Sequence, residues 1–488
     1  MKRNFIKSIF LISFGIATLN SCDLNDRFEK LNIDENNPTS VTPKFILSTI
    51  EKEIFSSNGG FGSRSDGDGF IGQFSQHFAG NHATGIQYDS YILTNGSFAP
   101  IFENAYLFGL KDCQKIIEYN DPRYKKYVGI AKILMAYKYG YLTSLYGDIP
   151  VTEALNSNII KPKYDNQIEV YNQIQKLLAE AIIDLDTPNT LNISGDFIYN
   201  GNTNKWKAAS YLLSARFYNH FSKKDPTGSA TKALAAIDKA KELGMNSTDW
   251  DLLAKFDGGS QFLNNWVGAY SNGMIVANKP FINILINSND PRTEALFSSL
   301  NKDDEDSYGK GKTQSGRPGD QNYASIGGLD SFYGQEKSSI PAASYCELLM
   351  IEAEAAFRLG NLNRASNAHN EAIINHVNQV TTLAIGKARI PAYIATYASE
   401  TSSSISLEKI MTEKHKIMFA MSVESWMDFR RHDNKFPTWS SIPLNENETA
   451  PVSTKFIQRI LYPQSELNLN SNNVPKGIDI FKKLPILE

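Results

Sequence analysis

Three stretches of this 488-residue chain hold residue types that could do chemistry together. Residues 70–91 carry Phe70, Phe74, His77, Phe78, Asn81, His82, Tyr88, Asp89 and Tyr91. Residues 262–273 carry Asn264, Asn265, Trp266 and Tyr270, and residues 317–333 carry Arg317, Asp320, Asn322, Tyr323 and Tyr333. Aromatic rings offer flat apolar faces that stack on C–H surfaces, while amide, carboxylate and guanidinium groups exchange hydrogen bonds with hydroxyls. Such a mixture can grip a sugar without altering it. Trp266, Tyr88, Tyr91 and Tyr323 are the expected stacking rings; Asn81, His82, Asp89, Arg317, Asp320 and Asn322 are the expected polar contacts. Each of these rings could equally pack beneath a loop as ordinary core.

Bond-breaking chemistry finds less support. The chain has no G-x-S-x-G nucleophile elbow and no H-E-x-x-H pair for zinc. Gly311-Lys312-Thr313 looks like the end of a phosphate-binding loop, but Asp306 stands where that loop needs its first glycine. Asp66-Gly67-Asp68-Gly69 places carboxylates close together, as calcium would want, yet it lacks the third ligand, the loop length and the closing glutamate of an EF-hand. A solvated turn is the expectation there. His77 and His82 are five apart, a poor spacing for one helical face. Any two of 52 acidic residues could still meet in space, so a hydrolase is not excluded. The expectation is a binding protein with no catalytic residue, no metal and no cofactor.

A different chemistry belongs to Cys22. Lys2, Arg3 and Lys7 precede an apolar stretch of twelve residues, Ser8 to Leu19, and Leu19-Asn20-Ser21-Cys22 closes it. This is the pattern of a signal peptide, and it is too short to span a bilayer. The last four residues resemble the bacterial lipobox, so residues 1–21 are expected to be removed and Cys22 to carry acyl chains. Each buried methylene contributes about 0.8 kcal/mol, enough for several chains to hold a folded body at a membrane.

Removing residues 1–21 takes away three cations and no acid, moving the formal charge from −3 to −6. That balance, with no dense Lys/Arg cluster, argues against nucleic acid as a partner. Cys113 and Cys346 cannot make a disulfide framework for a chain of this size and read as buried free thiols.

These candidate residues need elements to hold them. Residues 22–43 are polar and punctuated by prolines, an extended arm from the anchor. A first helix follows Pro43, and residues 58–96 read as one long irregular segment. Apolar residues at helical spacing then predict helices over 101–119, 123–146, 168–185, 205–220 and 231–243. A second irregular region covers about 247–340. Helices resume over 341–359, 363–379 and 407–431 before a Pro- and Asn-rich tail. No composition break divides residues 22–488, so one domain is expected.

Ala353, Ala356, Gly360-Asn361-Leu362, Ala365 and Ala372 resemble a tetratricopeptide hairpin, in which small residues let two helices approach closely and a glycine ends the first. Ala233 with Ala240, and Ile174 with Ala181, repeat the seven-residue spacing more weakly. Longer strings agree in order along the chain. The lipobox cysteine, the arm Asn32 to Ser40, Tyr146-Gly147-Asp148-Ile149-Pro150 and Asn289-Asp290-Pro291-Arg292 resemble the SusD/RagB family of nutrient-binding outer-membrane lipoproteins. So do Glu413-Lys414-His415, Glu424 to Arg431 and Arg459 to Glu466.

That resemblance implies a mostly α fold, an α-α superhelix of about four tetratricopeptide-like hairpins with long irregular loops forming a ligand-binding face. It implies a lipid-anchored protein facing the cell surface, binding an oligosaccharide and delivering it to a SusC-type TonB-dependent outer-membrane transporter. Some members of the family take peptides instead, and a lipid-anchored scaffold for protein partners is a further alternative. Trp426, Phe429 and Tyr462 fall in the family's motifs and are expected to be structural.

Overall fold

The computed structural model describes residues 41–55, 68–256, 264, 274–299, 324–325, 331–444 and 449–488. Cys22, the arm and the Asp66-Gly67 pair lie outside the described residues.

Helix α1, Pro43–Phe55, has proline in its opening turn and buries Leu47, Ile50, Ile54 and Phe55. The segment expected to be irregular holds α2, Asp68–Phe74, β1, Phe78–Gly80, and α3, Thr84–Asp89. Helices of six or seven residues are too short to reveal an apolar period, which is why the sequence hides them. The expected 101–119 helix is α4, Ala99–Asn104, and α5, Lys111–Ile117, joined by a π-helical stretch, Ala105–Leu110.

Four long helices follow: α6, Lys125–Tyr146; α7, Gln167–Leu185; α8, Thr203–Asn219; and α9, Pro226–Glu242. Asn166, Asn202 and Asp225 each accept a hydrogen bond from a first-turn backbone N–H, which fixes three of these starts. Nearly every side chain of α6 from Tyr127 on is buried, so it runs through the centre with no polar face.

Between α9 and the next long helix come β2, Leu252–Ala254; β3, Ile275–Ala277; α10, Lys279–Asn287; α11, Thr293–Leu296; β4, Ser298–Ser299; β5, Ala324–Ser325; and β6, Ile340–Ala343. The expected helix at 341 starts later, as α12, Tyr345–Arg358. Pro341 sits in β6, paired with Leu253, and Ser344 forms a capping box: its Oγ accepts from the Glu347 N–H and its own N–H donates to the Glu347 carboxylate. Then come α13, Leu362–Val380; α14, Ala384–Lys387; α15, Ile390–Tyr397; α16, Leu407–Ile417; α17, Ser422–Arg431; and α18, Gln464–Leu469.

The predicted 407–431 helix therefore breaks, at a 3₁₀ turn over Met418–Ala420. The break turns Phe419 into a nest of rings from Phe78, Phe281 and Phe297, at centroid distances of 5.2 to 5.9 Å.

Helices α6 with α7, α8 with α9, and α12 with α13 form the side-by-side hairpins, with α7 against α8 and α9 against α12. Ile174, Ala181, Ala233, Ala240, Ala353, Ala356, Ala365 and Ala372 are all fully buried at these contacts. Gly360 turns between α12 and α13 with φ of 76°, the left-handed conformation that the sequence reading required. The tail is not loose. The Ile460 N–H donates to the Leu145 carbonyl, and Ile457, Ile460, Tyr462, Leu484, Ile486 and Leu487 are buried.

Candidate ligand-binding face

Short antiparallel ladders and the hydrogen bonds of Asn264 tie described residues of the three candidate stretches, or their flanks, to one another. β1 pairs with β3, Phe78 opposite Ala277 and Gly80 opposite Ile275, so the first stretch lies beside the chain leaving the second. The Asn81 N–H extends the join to the Met274 carbonyl at 2.7 Å. The second stretch is tied to the third through Asn264, whose Nδ2 donates to the Tyr333 carbonyl at 2.6 Å and the Gln335 carbonyl at 2.9 Å. Its N–H donates to Glu336. β4 pairs with β5 at the base of the third stretch. Gly80 permits this crowding, because a Cβ there would lie 2.1 Å from the Gly85 carbonyl oxygen.

The described candidates divide into supports and a rim. Asp89 is 1% exposed; its carboxylate accepts from Gln73 Nε2 and, at 2.7 Å, from the Gly80 N–H. Tyr88 is 5% exposed, donates to the Ser97 carbonyl at 2.9 Å, and packs on Phe70 and Phe98. Tyr91, with φ of 57°, lies edge-on to Phe74 and Phe481, and burial raises its hydroxyl pKa. Sequence spacing offered these three as ligand contacts; the packing makes Tyr88 and Asp89 internal braces of the loop. Asn81 and His82 are half-buried at its tip. Trp266, Tyr323, Arg317, Asp320 and Asn322 lie outside the described residues.

Beneath the loop His77 is fully buried, its ring stacked on His415 at 4.0 Å. Its Nε2–H donates to the His415 carbonyl and its Nδ1 meets the Ser75 hydroxyl. Burial pushes the His77 pKa down to about 3, and burial with the neighbouring His77 lowers His415 well below the usual range, so both rings are neutral at neutral pH. Beside the β2–β6 ladder a pocket of about 300 Å³ is lined by Asp251, Phe332, Tyr333, Ser338, His376 and Gln379. Burial lifts Asp251 to about 7 although its carboxylate accepts from the Tyr345 N–H and Gln379 Nε2.

The charged residues of the family-like strings form core ion networks. Arg292 is fully buried and grips Asp290 through two hydrogen bonds of 2.8 and 2.6 Å, Glu413 at 2.9 Å and the Tyr393 hydroxyl at 2.8 Å. Burial alone would raise Glu413, but Lys416 and Arg292 outweigh it and hold the carboxyl down to about 2. In a second network Glu354 receives both guanidinium nitrogens of Arg431 and, at 3.3 Å, Lys414. In a third, Arg216 pairs with Glu347, and His220 Nε2 lies 2.7 Å from Glu424. Arg430 covers the Trp426 ring at 3.8 Å while donating to the Gln458 and Ser144 carbonyls. Trp426, Phe429 and Tyr462 are buried. Sequence reading could recognise these strings but not their use, since their partners lie up to 121 residues apart in the first network.

Two carboxyls also meet in the core. Burial, with Asp196 beside it, lifts Glu51 to about 10, so Glu51 keeps its proton. Asp196 accepts from the Ile198, Tyr199 and Gly201 N–H groups and from Trp206 Nε1, the pattern of a turn organiser. Among the described residues no group of three or more His, Cys, Asp or Glu is arranged to hold a metal ion. Cys113 and Cys346 are buried free thiols. No described helix is long and apolar enough to cross a membrane.

Solved structures share this architecture. A chitin-binding protein superposes with a TM-score of 0.72 at 22% identity, covering 88% of this chain and 95% of its own. A chitin-binding SusD homologue from Flavobacterium johnsoniae gives 0.73 at 19% identity, covering 91% and 98%. A SusD homologue from Bacteroides fragilis gives 0.71 at 22% identity, covering 92% and 100%. At these identities the likeness establishes the fold alone. A comparison with curated proteins returns no match. The sequence profile of one family, described as starch-binding and associating with the outer membrane, matches residues 35–463. With that span matched and the helical hairpins, loops and buried motifs arranged as described, this chain belongs to the SusD-like family.

Proposed function

We propose that this protein captures an oligosaccharide on its loop-bearing face, held at the outer membrane by acyl chains on Cys22, and delivers it to a SusC-type TonB-dependent transporter without chemically altering it. The observation that carries the reading is the junction of three aromatic- and amide-rich stretches by the β1–β3 ladder and the Asn264 hydrogen bonds. Two structurally similar proteins bear chitin-binding in their names, which favours a glycan over a peptide. Trp266 and Tyr323 are the proposed stacking rings, and Asn81, His82, Arg317, Asp320 and Asn322 the proposed polar contacts.

The test is calorimetric titration of the protein lacking residues 1–22 with chito-oligosaccharides, malto-oligosaccharides and short peptides. Trp266→Ala and Tyr323→Ala should each weaken glycan binding about tenfold, which corresponds to about 1.4 kcal/mol. Unchanged affinity in the double variant would remove the site; binding of peptides alone would remove the glycan. Cys22→Ala should release the full-length protein from the membrane fraction, and co-purification of the transporter with tagged protein tests the delivery step.

A further inference from the structure

We propose a second carbohydrate-binding cleft, separate from the loop-bearing face, between α10, α15, α16 and the Thr438-Trp439 segment. Its volume is about 640 Å³, within the usual range of small-ligand sites and far beyond a packing defect. Two half-buried aromatic side chains, Tyr397 and Trp439, line it.

Both rings are held from behind. Tyr397 packs on Tyr393 at 4.6 Å, the rings tilted by 34°, with Lys416 Nζ 5.4 Å from its centroid. Tyr393 is itself fixed, receiving Arg292 and donating to Glu413 at 2.9 Å. The Trp439 ring meets His415 at 5.6 Å and 71°. Its indole N–H is buried and has no acceptor among the described residues.

The charges of the cleft decide the ligand class. Lys409 is bound to Glu400 and Lys416 to Glu413, each at 2.8 Å. This leaves the exposed Glu408 carboxylate, the Asn287 amide and the Thr412 hydroxyl, which make no hydrogen bond among the described residues. Held aromatic side chains with one acceptor carboxylate, one amide and one hydroxyl suit a neutral sugar, whereas an anion would find both lysines of the cleft already paired and would meet the Glu408 carboxylate. The inference stands on this cleft alone and does not need the loop-bearing face to bind anything.

Titration of the protein lacking residues 1–22 with chitohexaose and maltohexaose, in Trp266→Ala, Trp439→Ala and Glu408→Ala variants, tests it. Glu408 is exposed, so its loss leaves folding intact. The expected result is a sugar-binding event that persists in Trp266→Ala, is abolished in Trp439→Ala, and weakens about tenfold in Glu408→Ala. A melting temperature unchanged in Glu408→Ala separates that loss from misfolding. Binding of neither sugar in the Trp266→Ala background, or binding there that ignores Trp439 and Glu408, overturns the cleft. Binding lost only in Trp266→Ala does the same while supporting the first site.

Discussion

Replacing Arg292 with methionine should be among the most damaging single changes in the protein. The guanidinium is fully buried and makes five charge-assisted contacts, to Asp290 twice, to Glu413, to Tyr393 and to His376. Its loss leaves two buried carboxylates with Lys416 as their ion-pair partner among the described residues, 3.4 Å from Asp290 and 2.8 Å from Glu413. Removing one partner of a buried ion network costs about 3–5 kcal/mol. With an unfolding entropy of about 2.1 cal/mol/K per residue, a mature chain of this length has roughly 1 kcal/mol/K, so the melting temperature should fall by about 3–5 °C. Differential scanning calorimetry of the protein lacking residues 1–22 measures this. The triple variant Arg292→Met, Asp290→Asn, Glu413→Gln removes the stranded charges and should recover part of the loss. A fall below 1 °C in the single variant, or no recovery in the triple one, would refute the view that this network is an interdependent charge set. The sign in acid follows from Glu413: its carboxyl is held down from 4.5 to about 2, so its contribution is present above pH 4.5 and is lost as pH falls toward 2.

His77 should make the protein acid-sensitive at milder pH. With a folded pKa of about 3 against 6.5, its neutral burial is fully favourable above pH 6.5 and costs about 2 kcal/mol by pH 5, so His77→Gln should flatten the decline in melting temperature between pH 7 and 5. An equal slope in the variant would count against the buried neutral pair. Gly80→Ala places a methyl 2.1 Å from the Gly85 carbonyl oxygen and should cost about 1–3 kcal/mol and weaken glycan binding, with far-ultraviolet circular dichroism unchanged. Wild-type melting and affinity in that variant would show that the loop yields freely. Cys113 and Cys346 should resist a thiol reagent in the native protein lacking residues 1–22 and react fully after denaturation; native labelling of either would contradict their burial.

The helical scaffold was legible because its signals are local. Apolar residues at helical spacing predicted the long helices, and small or apolar residues seven apart in the second helices of the hairpins, such as Ala233 with Ala240, mark their buried contacts. Gly360 is another local signal: a glycine between two runs of small residues marks the end of a helix, and its φ of 76° is the left-handed turn expected there. The candidate face was legible only as composition. Tyr88 and Asn81 have the same kind of neighbours in sequence, yet one braces the loop and the other reaches its tip, because the β1–β3 ladder and the packing of Phe70 and Phe98 decide which side of the loop is inside. The Tyr397–Trp439 cleft had no sequence signal at all, since its rings lie on α15 and on a loop beyond α17 and carry no shared spacing.

Residue order by itself determined the long helices, their hairpin pairing, the family motifs and the expectation of an anchor at Cys22, all of which depend on contacts or spacing within a few dozen residues. Tertiary structure alone decided which charged residues of those motifs meet, where the 407–431 helix breaks, and which aromatics face solvent. Those outcomes depend on burial, and burial is a property of the whole packed chain: Arg292 becomes a core residue only when Glu413, 121 positions later, is folded against it.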